Sequence, residues 1–432
     1  MKPKKLIYLE KTLRFMAKAV LWKYKPKIVG ITGSVGKTSS KEAIFIALSS
    51  KFKVRKNEKN YNNEIGIPLT IIGSESGNRS AFKWIKVFLK WLGVILFPIS
   101  YPEILVLEMG VDRPGDMEYL LSFIRPTVGV VTNISGTHLE FFKSVDHILK
   151  EKGKIITGLP EDGLAVLNAD DEKILAFRDK TKAPISLFGI EDNAELKASD
   201  LSFNSSNFEP QGISFKLNYE GKTVPIRLPF ILAPHLIYAA LSAVSVGIFF
   251  KINVIDVVKS LEQFASPQGR MKLVKGSGGS FIIDDTYNSS PASALAALDA
   301  VGNFRAIRKI IAFGDMLELG ENSESGHEEV LASAFRNGVS LFFLSGDRMK
   351  KAAEKLEAEG KISAKVFFFD SPESLGMELR KILREGDLVL VKGSQGARME
   401  KTVREMMANP EEAESFLCRQ SKDWQKKPYS KP

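Results

Sequence analysis

The stretch Gly30-Ile-Thr-Gly-Ser-Val-Gly-Lys-Thr-Ser39 follows the apolar pair Ile28-Val29 and leads into a run, Lys41 to Leu48, of helical character. A strand that turns through glycines into a helix is a phosphate-binding arrangement. Gly33 and Gly36 let backbone N–H groups close on phosphate oxygens, with Ser34 and Ser39 flanking them. Lys37 adds a positive charge, and Thr38 offers a hydroxyl to Mg²⁺. The usual spacing of such loops places a glycine at position 31, where this chain has Ile; its glycines stand at 30 and 33. The bland alternative is a Gly/Ser turn that merely caps a helix, but Gly-Lys-Thr at a strand-to-helix junction favours nucleotide binding.

The 432 residues suffice for two or three domains, and 44% hydrophobic with 26% charged residues is the composition of a globular protein. Sixty-one basic against fifty-one acidic residues give a net charge of +10. That excess suits anionic substrates, an acidic membrane surface or nucleic acid without choosing among them. No nucleic-acid motif or interleaving of aromatic with basic residues accompanies it, so no nucleic-acid partner is expected. Cys418 is the only cysteine, which excludes an intrachain disulfide and a cysteine-based zinc site. The start of the chain lacks a cleavage signal, and Lys83, Lys86 and Lys90 interrupt the most apolar stretch, 82–99. A cytoplasmic protein is expected, as a monomer.

Short apolar strands alternate with helices along most of the chain, which argues for parallel sheets. The expected fold class is α/β: a central P-loop ATPase domain with a mostly parallel sheet, then a C-terminal Rossmann-like α/β domain. The divisions expected are a basic amphipathic helix in 1–27, the ATP-binding domain in 28–267, the second domain in 268–410 and a loose polar tail in 411–432. In the first domain strands are expected at 28–32, 104–108 and 127–132, with helices at 38–49 and 116–124. One small hairpin is expected around Ile213–Tyr219, and a buried helix over 235–249. In the second domain strands are expected at 281–284, 309–313, 340–344, 365–369 and 387–391, and helices near 291–301, 325–337, 347–358 and 372–384. No G-x-G-x-x-G turn occurs there, so no nicotinamide or flavin is indicated.

Glu108 ends a buried strand, which sets a carboxylate over the edge where phosphate and metal sit in such sheets. Read alone, a strand-end carboxylate facing water is the favoured reading. His138, just past another strand, divides between a metal ligand and a hydrogen-bonded structural residue. Lys152, in Glu-Lys-Gly-Lys, reads on its own as a solvated helix lysine.

Taken together and in order, these pieces resemble the Mur ligase family, the ATP-dependent amide ligases of peptidoglycan precursor synthesis. The matching runs include Ile31–Thr38, Asn60–Thr70, Glu108-Met-Gly110, Thr132-Asn-Ile134 with His138-Leu-Glu140, and Lys152-Gly153. Further on come Gly269-Arg270, Asp284–Asn288 with Pro291, Gly314–Gly320 with His327, and Lys392-Gly-Ser394. The Asn-Asn-Glu-Ile-Gly and Gly-Asp-Met-Leu-Glu-Leu-Gly runs point to the branch that adds D-alanyl-D-alanine to UDP-N-acetylmuramoyl tripeptide.

The resemblance implies that Lys37 binds ATP phosphates, that Thr38 and Glu108 hold one Mg²⁺, and that His138 helps hold a second. Lys152 matches the lysine that becomes carbamylated to bind that second ion. Asp285, Tyr287 and Asn288, with Arg270 at the hinge, match the segment that contacts the nucleotide. Asn62, Asn63 and Glu64 match the acceptor side, and Lys392 and Ser394 the side of the incoming amine. Three departures are visible. Twenty-seven residues precede the strand, where the family usually carries a UDP-binding domain, so the nucleotide-sugar end of the substrate is left unassigned. The family's Gly-x-His-Asn-x-x-Asn reads Ala-Pro-His235-Leu-Ile-Tyr-Ala239, which alters the adenine contacts, and its Tyr-Asn-Ala-Asn-Pro reads Tyr287-Asn-Ser-Ser-Pro291. The alternatives are a related ligase joining another carboxylate and amine, and a P-loop protein that uses ATP as a switch.

Residues 4–23 and 82–97 both read as basic amphipathic helices. In the second, Trp84, Phe88, Trp91, Leu92 and Ile95 share an arc opposite Lys83, Lys86 and Lys90. Packing of the two helices on each other is the first expectation, and a peripheral membrane or protein partner the alternative.

Overall fold

The computed structural model describes residues 4–58, 61–78, 80–134, 142 and 144–427. His138 lies outside the described residues. Two compact units divide the chain: residues 1–200, 215–226 and 235–264 form the first, and residues 201–214, 227–234 and 265–432 the second.

In the first unit, β1 (Lys27–Thr32) lies between β3 (Ile104–Glu108) and β4 (Val128–Val131), parallel to both. Outward from them run β2 (Val54–Lys56) on one side and β5 (Leu164–Asn168), β6 (Ile185–Gly189) and the first residues of β7 (Leu196–Ser206) on the other. Every residue of β3, β4 and β5 is buried, as a parallel sheet covered on both faces requires. Helices α2 (Lys37–Ser49) and α6 (Val145–Thr157) follow β1 and β4; between them in sequence lie α3 (Gly66–Ile72), α4 (Ala81–Leu96) and α5 (Asp116–Leu121). The helix expected over 235–249 is present as α7 (Ile237–Phe249), and most of it is buried.

The single hairpin expected after residue 196 is instead a three-stranded run. β7 is followed by β8 (Glu209–Tyr219) and β9 (Lys222–Leu228), which complete a nine-stranded sheet in the order β2-β3-β1-β4-β5-β6-β7-β8-β9. The connections Asn207-Phe208 and Glu220-Gly221 each place two successive residues at positive φ, the geometry of tight antiparallel hairpins. β7 is buried only at Leu196 and Ala198, with the rest intermediate or exposed, so its sequence carries no clean alternation.

α1 (Lys4–Tyr24) precedes β1, and Leu13, Met16, Ala17 and Val20 bury its apolar stripe in one core with Ile67 and Ile71 of α3 and Val87 and Val94 of α4. Trp84, Trp91 and Ile95 pack against the same core. Trp91 donates from its indole to Met16 O at 3.0 Å, and Lys23 Nζ donates to the carbonyls of Val94, Ile95 and Phe97 at the end of α4. The two helices therefore pack within the unit. Their outward faces remain exposed and apolar.

The second unit has a six-stranded sheet in the order β10-β11-β15-β12-β13-β14. These are Lys272–Lys275, Phe281–Asp285, Asp387–Lys392, Arg308–Gly314, Val339–Ser345 and Lys365–Phe369, and all pairings but β10 with β11 are parallel. The helices between them are α8 (Pro291–Gly302), α9 (Ser323–Arg336), α10 (Asp347–Ala358) and α11 (Pro372–Ile382). α8 and α11 start where a serine accepts a backbone N–H of the first turn and a proline takes the first helical position.

The tail expected to be loose from residue 411 is anchored to the second unit through Arg419, while Gln425, Lys426 and Lys427 are exposed. Ala413, Leu417 and Cys418 are buried, with Ala413 and Leu417 in the core formed by Val389, Val403 and Met406. Arg419 ion-pairs with the buried Glu400 at 3.1 Å. The polar composition hid this because the charges find partners within the fold. Leu417→Ala is expected to cost about 2–5 kcal/mol. In urea titrations this would appear as a lowered midpoint, whereas a tail loose on the surface would leave the midpoint unchanged.

Candidate functional site

The first unit gathers its chemistry where β1, β3 and β4 end. After Thr32 the chain turns through Gly33 at φ 150° and Gly36 at φ 85° into α2. A side chain at Gly33 would drive its Cβ to 2.1 Å from Thr132 Oγ1, so only glycine lets β1 and β4 close here. Thr132 ties the loop from the other strand, donating to Val35 O at 2.6 Å, while Ser34 N donates to Asn133 O at 2.7 Å. Lys37 Nζ donates to Gly33 O at 2.8 Å and to Ser34 O at 3.1 Å.

Lys152 Nζ reaches the same carbonyl, Gly33 O, at 2.7 Å. It projects from α6 and is buried, not solvated. Burial first, then the nearby Lys37 charge, pull its amine down to about 7.

Glu108, at the end of β3, is buried within a complete set of partners. Thr38 Oγ1 donates to Oε2 at 3.0 Å, Asn62 Nδ2 donates to Oε1 at 3.1 Å, and Lys41 Nζ lies 3.8 Å from Oε2. The backbone of Glu108 is held by Asn57, whose Oδ1 accepts from Glu108 N at 2.8 Å and whose Nδ2 donates to Glu108 O at 3.0 Å. The Asn57 amide thus continues the β-ladder past the end of β2. Lys41, also buried, donates to Asn57 O at 2.8 Å. Thr38 Oγ1 and Glu108 Oε2 are two hard oxygen donors converging at a helix N-terminus, a donor set that fits Mg²⁺. Among the described residues no group of three or more His, Cys, Asp or Glu side chains is placed to hold a metal.

Asn63 and Glu64 stand apart from this cluster. Asn63 Oδ1 accepts the N–H groups of Ile65 at 3.3 Å and Gly66 at 2.9 Å, so it opens α3, and the charge of Glu64 acts on Asp116. Ser39 is buried in the first turn of α2.

Beside the loop lies a cavity of about 620 Å³, lined by Gly36 and Ser39 on one side and by Phe188, Leu236 and Ala239 on the other. Leu236 and Ala239, the two departures from the family pattern, make an apolar wall together with Phe188. Its polar edge includes Asn168 and Asp170; Asp170 accepts from Tyr238 OH at 2.8 Å and from Ile190 N at 2.7 Å.

In the second unit, the loop after β11 carries its own cluster. Lys392 Nζ meets Asp285 Oδ2 at 2.5 Å and donates to Asn288 O at 3.0 Å. Burial raises the Asp285 carboxyl above its ordinary range, a push only partly opposed by Lys392. Ser394 Oγ accepts from Leu317 N at 2.7 Å and donates to Ser289 O at 3.3 Å. Both Lys392 and Ser394 are buried; Lys392 spends its amine on this loop, and Ser394 links it to the segment after β12. Tyr287 is half exposed between two guanidinium groups, with Arg270 4.4 Å and Arg419 5.5 Å from its ring centre. Arg419 also donates to the carbonyls of Thr286 and Tyr287. The neighbouring Asp284 is fully buried and pushed up to about 6 by that burial.

Sequence reading missed Asn57, Lys41, Phe188, Asp170, Tyr238 and Arg419. Of these Lys41 was within reach, since a lysine inside a helix's apolar face needs a buried partner.

A glycine loop between a parallel strand and a helix, with a hydroxyl and a carboxylate converging at its end, defines a P-loop nucleotide-binding α/β protein. The chain matches the Mur ligase middle domain over residues 96–247 and the Mur ligase glutamate ligase domain over residues 269–395. It belongs to the Mur ligase family. It is 29% identical over 404 residues to the UDP-N-acetylmuramoyl-tripeptide–D-alanyl-D-alanine ligase of Bacillus subtilis, covering 92% of this chain and 79% of that protein. To the Escherichia coli ligase of the same name it is 28% identical over 385 residues, covering 89% and 77%. The crystal structure of the MurF ligase of Thermotoga maritima in complex with ADP superposes with a TM-score of 0.70 at 26% identity, covering 94% of this chain and 84% of that one.

Asn57→Ala would leave the buried N–H and C=O of Glu108 unpaired, at about 1–3 kcal/mol each. The expected result is a clear loss of stability in chemical denaturation. An unchanged midpoint would mean that the Asn57 amide does not hold the end of β3.

Proposed function

We propose that this protein is an ATP-dependent amide ligase that adds D-alanyl-D-alanine to UDP-N-acetylmuramoyl tripeptide through an acyl phosphate. The observation that carries the ligase reading is the meeting of Lys37, Thr38, Glu108 and Lys152 around one glycine loop. The choice of dipeptide rests on relatives of that name that match nine-tenths of the chain.

In this reading the loop amides and Lys37 bind the ATP phosphates, and the apolar wall of Phe188, Leu236 and Ala239 takes the adenine face. A cavity of about 620 Å³ is of the size that small-molecule sites occupy. Thr38 and Glu108 would hold one Mg²⁺; His138 and a carbamylated Lys152 would hold the second. Bound there, the ions would neutralise charge on the phosphoryl group in transfer. The substrate carboxylate attacks the γ-phosphorus and ADP leaves. The amine then attacks the acyl carbon, and the tetrahedral intermediate collapses by breaking the C–O bond to phosphate, with loss of a proton from nitrogen.

Asn62, bonded to Glu108, is assigned to orient that carboxylate; Asn63 and Glu64 are assigned to the acceptor side. Arg270, Asp285, Tyr287 and Asn288 form the nucleotide-contacting loop of the second unit. Lys392 and Ser394, buried beneath it, act on the amine by fixing that loop. Among the described residues no helix is long and apolar enough to cross a membrane.

ADP release is measured with UDP-muramoyl tripeptide crossed with D-Ala-D-Ala, D-Ala-D-Lac and single amino acids. Release requiring both tripeptide and D-Ala-D-Ala is expected. Release without any amine would favour an ATP switch, and release with another pair a related ligase. Lys37→Ala is expected to lose about 100- to 1000-fold in turnover while keeping its fold, the loss typical of one charge-stabilising group.

The carbamate forms when the neutral Lys152 amine adds to CO₂ and loses a proton, converting a buried cation into an oxygen ligand. Lys152→Ala is expected to be nearly inactive and partly restored by acetate or formate. Full activity of that variant in CO₂-depleted buffer would remove Lys152 from the metal site.

A further inference from the structure

The outward faces of α1 and α4 join into one surface whose composition is unlike the rest of the protein. On α1, Tyr8, Phe15 and Trp22 recur every seventh residue and are 70%, 65% and 80% exposed. Lys4, Lys11 and Lys18 recur at the same interval, about 60° round the helix from that row. On α4, Phe82, Ile85, Leu89 and Leu96 are 55–69% exposed, and Phe97 and Ile99 continue the apolar surface beyond its end. Lys83, Lys86 and Lys90 flank them. The two helices meet through aromatic rings: Phe15 of α1 lies 6.3 Å from the core-facing Trp91 of α4, and Trp91 5.6 Å from Phe88, which is itself exposed beside the α4 row.

We infer that this surface docks on an anionic lipid bilayer, with the two helices lying in the interface. Large apolar residues scattered singly on a surface need no explanation, but a continuous exposed patch across two helices does. Charge chooses the occupant. Across α1 and α4 the sole carboxylate is Glu10, and it is buried, so the outward surface carries lysines and no acid. A second copy of this chain would press lysine rows against lysine rows around the apolar centre. Anionic headgroups instead match the lysines, whose stems lie along the apolar surface while their ammonium groups reach the phosphates. Aromatic residues with polar handles, here Tyr8 and Trp22, suit the boundary between headgroup and acyl chain. The surface lies outside the nucleotide-loop cluster, so docking and ligation are separable.

Flotation of the full chain with vesicles of phosphatidylcholine, alone or mixed with phosphatidylglycerol, tests the inference at low and high salt. Binding is expected only to the phosphatidylglycerol vesicles, weakening by at least about tenfold at high salt as the charges are screened. Trp22→Gln with Leu89→Gln, and separately Lys11→Gln, Lys18→Gln, Lys83→Gln and Lys86→Gln combined, should each reduce it by at least about tenfold. Their melting temperatures and ADP formation should match the parent, because every substituted side chain is exposed. Equal binding to both vesicle types, or variants that bind like the parent, would overturn it. So would an absence of vesicle binding together with a concentration-dependent dimer that Leu89→Gln abolishes.

Discussion

A carboxylate buried at the end of β3 sets the terms for the first unit. An isolated charge cannot be withdrawn from water without several compensating contacts. Glu108 obtains them from three directions, Thr38 from α2, Asn62 from the segment before α3 and Lys41 from one turn further along α2, while the Asn57 amide holds its backbone. Each donor is itself fixed, since Lys41 is tied to Asn57 O and Asn62 O accepts from Gly110 N at 2.7 Å. The start of α2, which shapes the glycine loop, is therefore set by the same cluster that positions the acid. Preorganisation of this kind lets an oxygen donor meet a cation without reorganising when charge develops.

Much of this was legible, because the local rules act at short range. The strands at 104–108 and 365–369 and the helix at 347–358 were read to the residue, since each is a short apolar run or a clean 3.6-residue pattern bounded by turn signals. The glycine loop was legible because Gly-Lys-Thr at a strand-to-helix junction is a local pattern, although Thr132 and Asn133, far along the chain, hold its shape. Asn57 was not, because its partner is 51 residues away, and an asparagine after a strand ordinarily signals only a turn. β7 lacked alternation because much of it faces water on both sides. Lys152 illustrates the converse. Its neighbours in sequence describe a solvated helix lysine, and only the resemblance, together with the fold that buries it against Gly33, separates it from Lys150 or Lys154.

The second unit depends on long-range pairing of a different kind. Its tail reads as polar, yet Arg419 bonds to Glu400, Thr286 and Tyr287 together, and Arg398 pairs with the same Glu400 at 2.6 Å. One buried acid thus holds two guanidinium groups, one of which braces the loop carrying Asp285, Tyr287 and Asn288. From the opposite side Lys392 bonds to Asp285 and Asn288. A loop held at both ends by charged side chains keeps its shape without burying apolar surface of its own.

The two helices α1 and α4 show why helical periodicity alone could not decide their role. On α4 the inward stripe is Trp84, Val87, Trp91 and Val94, and the outward stripe is Phe82, Ile85, Leu89 and Leu96. The two sets differ by two positions at their start, about 200° round the helix, so they lie on opposite faces. Packing against the core consumes only one of them. α1 follows the same logic, with Leu13, Met16 and Val20 inward and Tyr8, Phe15 and Trp22 outward. A helix that is apolar on both sides is ordinarily buried on both sides. Packing within the unit and the proposed docking are therefore not rival explanations of these segments, since packing accounts for only one of the two stripes.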